Sequence, residues 1–283
     1  MRVIGTLALL LVGTFGLRAQ NSGQPLYRIT VVSRTIDAIN YGHRSEPTKI
    51  GFRGTVLAPD ARGEATVQSK RGAVEIMADF SHLQEPSLYG PQFLTYVLWA
   101  ISPEGRPVNL GELVPNHANK GKLNVTTDLQ AFALLVTAEP YFSVTVPSDV
   151  VVMENVLRPE TVGQVQQVNV KYELMPRNAY TFDKSARPAN EGRPMVSMDE
   201  YESLSALYQA QNALQNAKYV GADQYAADTY AKADGLYRQA QSYQSQKGSS
   251  RQVVTTAREA TQAAEDARII TLKRQQAAGG PSQ

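Results

Sequence analysis

The residues whose types could do chemistry are few and scattered along the chain. The three histidines, His43, His82 and His117, form no two-histidine helical pair, and none stands beside a carboxylate at ligand spacing. The chain has no cysteine, so the thiolate and imidazole sets that hold zinc are not spelled out, and the histidines are expected at the surface or packed. No Gly-x-Ser-x-Gly elbow marks a nucleophile. The serines cluster in turns and at helix starts, where capping accounts for them. No Walker-type or dinucleotide loop occurs, and Gly279-Gly280 belongs to the tail. The neighbouring acids Glu265-Asp266 and Asp199-Glu200 are expected on solvated helical faces. A glycosidase needs two acids converging across a cleft, which adjacent residues cannot do. The pattern implies no catalytic, cofactor-binding or metal-binding residues: a non-enzymatic chain.

Recognition chemistry is better represented. Tyr201, Tyr208, Tyr219, Tyr225, Tyr230, Tyr237 and Tyr243 punctuate the C-terminal third. A tyrosine is apolar on its face and polar at its tip, which suits glycan or protein contacts as well as packing. Tyr230 and Tyr237 share a seam with alanines, which favours packing. Asn124-Val125-Thr126 fits the glycosylation sequon, but in a predicted strand. Lysine and arginine total 28 against 26 acids. That near-balance announces neither a nucleic-acid patch nor an acidic tail.

The elements that must position these residues follow from the order of composition along 283 residues, a length that suits two domains. Residues 1–19 read as a secretory signal: Arg2, an apolar run over 3–15, then Leu17-Arg18-Ala19 as a cleavage site. The run is shorter than the ~20 residues a bilayer needs, so a cleaved signal and no membrane span are expected. Absence of cysteine also removes disulfides and a lipid-bearing residue. The mature chain is expected in the periplasm or outside the cell.

Residues 20–174 read as a strand domain. Candidate strands are 26–32, 49–57, 64–68, 72–80, 93–101, 109–114, 122–126, 132–137, 142–146 and 166–174, separated by turns such as Ser102-Pro103-Glu104-Gly105 and Asn119-Lys120-Gly121. Short strands at this spacing, with no helical pattern between them, predict an antiparallel β-sandwich. The segment 95–100 is the expected central strand, with Trp99 as a core anchor. Residues 175–197 are polar and proline-spaced, a linker. Residues 198–276 form an alanine-rich helical domain, and 277–283 a disordered tail. Three helices are predicted, at 198–219, 222–246 and 250–276, the first opened by a capping box at Ser197-Met198-Asp199-Glu200. Leu207, Ala210, Leu214 and Ala217, then Ala226, Tyr230, Ala233, Tyr237 and Ala240, then Ala257, Ala260, Ala264 and Ala267 recur at steps of three and four. Such stripes predict a coiled-coil-like antiparallel bundle or hairpin with closely spaced axes. Alanine buries little area, so a partner or self-association would help this bundle.

Two resemblances accompany this reading. The stretch 72–147, with Tyr96-Val97-Leu98-Trp99-Ala100-Ile101, Gly105-Arg106-Pro107-Val108-Asn109-Leu110-Gly111 and Thr137-Ala138-Glu139-Pro140, resembles the extracytoplasmic domain of anti-sigma-K factors. That implies an Ig-like β fold outside the cytoplasm; sigma-factor inhibition does not carry over, because the family's cytoplasmic region and transmembrane helix have no counterpart in this sequence. The stretch 204–274 is similar to an uncharacterised bacterial family of alanine-rich periplasmic helical domains often found before OmpA-like domains. Asn216-Ala217-Lys218-Tyr219-Val220-Gly221-Ala222 and Ala257-Arg258-Glu259-Ala260 carry that likeness. It implies an envelope location and no activity. The expected function is a structural or adaptor protein of the bacterial cell envelope, its partner an envelope protein or cell-wall component. The alternative is a ligand- or glycan-binding module, for peptidoglycan or polysaccharide, using the loops 82–91, with Tyr89, and 115–120.

Overall fold

The computed structural model describes residues 36–42, 46–116, 118–168 and 197–279. The expected signal peptide, the strand at 26–32, His43, His117 and nearly all of the 175–197 linker lie outside the described residues.

The N-terminal part is antiparallel sheet throughout: β1 (Ile36–Asn40), β2 (Thr48–Gly54), β3 (Arg62–Lys70), β4 (Ala73–Ser81), β5 (Thr95–Ile101), β6 (Pro107–Leu113), β7 (Lys120–Thr127), β8 (Ala131–Glu139), β9 (Val151–Val156) and β10 (Gln164–Val168). The ladder runs β10-β1-β8-β9-β2-β3-β4-β7, and β5 pairs with both β8 and β6. β6 then comes to lie beside β7, so the sheet curls nearly into a barrel. This pairing establishes the all-antiparallel character that the turn spacing predicts, but not an Ig-type sandwich. Closure is helped at β6. There the register against β5 slips between Leu98 and Trp99, and Gly111 takes φ 141°, a bulge that bends the strand. At the closing seam Gly121 leaves room for Leu113: a Cβ there would lie 2.7 Å from its Cδ1.

One face of each strand from β1 to β9 fills the barrel. Ile50, Phe52, Ile76, Phe80, Leu98 and Val136 are among its buried residues, and the rings of Phe52 and Phe80 meet tilted, 4.9 Å between centroids. The other face of β2, β3, β4 and β7 meets solvent, which accounts for their alternation of apolar and polar residues. β5 and almost all of β8 are different, buried on both faces.

What covers their outer face is the helical part: α1 (Met198–Tyr219), the single turn α2 (Ala222–Tyr225), α3 (Ala227–Ser245) and α4 (Ser250–Ala278). The boundaries follow the predicted ones closely because caps fix them. Ser197 Oγ accepts from Glu200 N at 3.2 Å, and Ser249 with Gln252 makes a full capping box before α4. α4 packs against both α1 and α3 along the alanine stripes, where Ala210, Ala217, Ala233, Ala240, Ala257, Ala260, Ala264 and Ala267 are fully buried.

The two parts share a core. Val97, Trp99 and Ile101 of β5, Ala133 and Leu135 of β8 and Ile36 of β1 form one buried cluster with Ala213, Ala217, Ala264 and Ala267. The independence expected of two tethered modules is not what the structure has. The small alanine side chains that made the bundle look marginal alone are what allow the helices to lie close on the sheet. Enlarging one of them tests this. Ala264→Leu is expected to lower stability by about 1–3 kcal/mol through overpacking, read as a fall in the urea midpoint; an unchanged midpoint would show slack in the joint.

Two strand assignments differ from expectation. Residues 142–146 are turn and bend, and the strand lies further on, at β9. The reason is local: the backbone around Phe142 bonds to side chains instead of a ladder. Phe142 N donates to Gln209 Oε1 at 2.8 Å, and Asn109 Nδ2 donates to the carbonyls of Phe142 and Val144, each at 2.8 Å. β1 carries no strong strand signal; it is held between β10 and β8.

Candidate functional site

The polar side chains buried deepest gather where the helices meet the sheet. Glu265 is 0% exposed, which corrects the expectation that the Glu265-Asp266 pair sits on a solvated face. The turn of helix that carries it faces the segment after β8. There Tyr141 Oη donates to Glu265 Oε2 at 2.8 Å, and Thr145 Oγ1 donates to Oε1 at 2.8 Å. From its own helix Arg268 completes a fork, Nε to Oε2 at 2.7 Å and Nη2 to Oε1 at 2.8 Å. Such a two-pronged pair, with added donors, is the arrangement that holds a buried carboxylate. Asp266, one residue on, is exposed and accepts from Gln262.

A second carboxylate does the same from the sheet side. Glu112 on β6 accepts from Thr95 Oγ1 at 2.8 Å, from Gln209 Nε2 of α1 at 2.7 Å and from Arg258 of α4. The Arg258 guanidinium also lies 3.8 Å from the centroid of Phe142, a cation–π contact that orients it. Asn212 of α1 adds bonds to the carbonyls of Gln92 at 3.0 Å and Pro140 at 3.3 Å. Behind this layer Trp99 Nε1 donates to Thr137 Oγ1 at 2.8 Å, and Thr137 in turn donates to Glu139.

Chemically this arrangement ties the helices to the sheet. Both oxygens of Glu265 and of Glu112 accept from the protein. Burial, with Glu265 beside it, pushes the Tyr141 hydroxyl well above the usual tyrosine range. Tyr41 and Tyr96 are raised by burial too. A raised acid pKa stabilises the fold fully below the unfolded value near 10 and loses that contribution as pH climbs toward the folded one. Stability is therefore expected to fall steeply above about pH 10. In a pH series of urea melts, Tyr141→Phe should show a shallower alkaline decline, and an equal slope would count against this role.

Other predicted positions disperse. His82 is exposed, with φ 60°, and among the described residues no group of three or more metal-ligating side chains converges. Asp199 and Glu200 are exposed in the first turn of α1. Of the tyrosines, Tyr230 and Tyr237 pack against the shared cluster, while Tyr219 and Tyr225 are 56% and 44% exposed. The loops at 82–91 and 115–120 do meet: Leu83 N donates to Asn119 O at 3.1 Å. Tyr89, however, leans edge-on toward Tyr96 at 6.5 Å and is half-buried.

Sequence reasoning missed Glu112, Gln209, Arg258, Glu265 and Arg268. A signal existed in α4. Thr261, Glu265 and Arg268 follow steps of four and three beside the alanine stripe, where a surface face would not need a hydroxyl and an ion pair in register. Among the described residues no helix is long and apolar enough to cross a membrane. No family model, curated protein or solved structure matches this chain, so its functional reading rests on its own residues.

Proposed function

We propose that this chain is an exported, non-enzymatic structural or adaptor protein of the bacterial cell envelope, acting as a single rigid body with a β wall on one side and a helical layer on the other. The observation that supports it is the joint. The half-buried Glu112 and the buried Glu265 each accept from donors across the interface as well as from their own side, an arrangement suited to fixing orientation rather than turning over substrate. The Ig-like character and the envelope setting implied by the resemblances belong to the same proposal. The alanine stripes are already covered, by the neighbouring helices and toward Ala217 and Ala267 by the sheet, so the need for self-association is reduced, and we assign the partner surface to the exposed Tyr219 and Tyr225 at the α1–α2 turn.

Deleting the helices is a poor test, since it would bare the outer face of β5. Crosslinking in native cells, compared between the intact chain and a Tyr219→Ser/Tyr225→Ser variant, is the better one. A defined envelope protein recovered with the first and lost with the second is the expected result. A chain recovered alone in both would sink the proposal.

The glycan-binding reading keeps one specific observation in its favour: the two loops expected to form it lie side by side.

A further inference from the structure

The geometry points to an oxyanion-binding groove for an acidic polysaccharide on the solvent wall of the barrel, at the end of the sheet where those loops begin. The groove holds about 400 Å³ and is lined by Arg62, Ser81, Lys120, Lys122 and Arg158, with Glu64 and Asp79 as its acids. This assignment stands apart from the adaptor reading, since it uses none of the helical surface.

Register builds the site. Arg62 pairs with Ser81 across β3 and β4, and Ser81 with Lys120 across β4 and β7, so a cation, a hydroxyl and a cation stand in one outward row. With strands about 4.8 Å apart, the outer two begin about 10 Å from each other and reach a common oxyanion over Ser81 with their long side chains. The next outward row is Glu64, Asp79 and Lys122. Between the rows Gly63 and Gly121 turn inward; a Cβ at Gly63 would lie 2.8 Å from Phe80 Cδ1, so the strand lies tight on the core.

Charge is uneven between the rows. Glu64 is paired by Arg158 at 2.8 Å and Asp79 by Lys122 at 2.6 Å. Lys120 makes no ion pair among the described residues, and one nitrogen of Arg62 is steadied by the carbonyls of Pro59 and Ala61, at 2.6 and 2.8 Å. The first row therefore offers uncompensated positive charge to a carboxylate or phosphate. The second offers carboxylate oxygens to sugar hydroxyls, about 7 Å along the strands. A continuous phosphodiester backbone would meet Glu64 and Asp79 unfavourably, which favours a glycan over nucleic acid.

The test uses the full mature chain in co-sedimentation and microscale binding with polygalacturonate, a phosphorylated glucan, a neutral glucan and single-stranded DNA, each at low and at physiological salt. The expected result is salt-sensitive retention on one or both acidic glycans, the arm that binds identifying carboxylate or phosphate. Arg62→Gln with Lys120→Gln should weaken it by about tenfold or more, each charge-assisted contact contributing on that scale. The control Lys232→Gln with Lys247→Gln removes the same charge from exposed positions, on α3 and in the turn after it, and should bind as the native chain does. No retention at low salt, equal binding of the neutral glucan or of DNA, or equal weakening in both variants would overturn the assignment. Circular dichroism confirms that each variant is folded.

Discussion

Glu265→Ala is expected to destabilise the protein by about 3–5 kcal/mol, because it strips the carboxylate from a buried guanidinium instead of removing a matched pair. Arg268 is 7% exposed and gives both Nε and Nη2 to that carboxylate. Tyr141 and Thr145 lose an acceptor at the same time. An apolar replacement of the whole constellation should be milder. With Glu265→Leu, Arg268→Leu and Tyr141→Phe together, most charge and hydroxyl demand disappears, and the loss should be smaller than for the single change. Guanidinium melts of the two variants decide it. A single variant within about 1 kcal/mol of the native protein would mean that the other contacts of Arg268, Thr145 among them, hold the guanidinium without Glu265.

That contrast also explains what could and could not be read from the residues. Helix ends were legible, since serine caps and the Gly221 and Gly248 turns are local chemistry. The alanine seams were legible as seams, because steps of three and four report a face whatever covers it. What covers it is a long-range fact. The composition break before Ser197 suggested separate modules, yet the sheet itself held the contrary sign. Thr95-Tyr96-Val97-Leu98-Trp99-Ala100-Ile101 and Phe132-Ala133-Leu134-Leu135-Val136 run without the polar alternation of β3 or β7. Uninterrupted apolar strands imply burial on both faces. A barrel fills only one, so something had to lie on the other. Glu265 was misplaced for the converse reason: charge suggested solvent, and beside Arg268 on its own helix two of the partners that pay for its burial come from residues more than a hundred positions away. The groove row of Arg62, Ser81 and Lys120 is likewise invisible until strand register aligns it.

The shared core makes its sharpest demand on Trp99, the one tryptophan of the chain. Its ring is 0% exposed among residues of β5, β8, α1 and α4, so its fluorescence reports the joint, whereas ellipticity at 222 nm reports the helices. If the joint holds the two parts as one cooperative unit, the two signals must fall together across a denaturant series. A tethered bundle of small alanine stripes would instead melt first, leaving the other transition behind. Trp99→Ala removes the ring and its bond to Thr137 and should cost about 3–5 kcal/mol, the range for emptying a buried aromatic site. Because that loss falls on a contact common to sheet and helices, helical ellipticity and a sheet-sensitive infrared band should shift to lower denaturant by the same amount. Helices that melt unchanged in the Trp99→Ala protein would show that the bundle stands without the sheet, and the rigid joint on which the proposed function depends would fall with it.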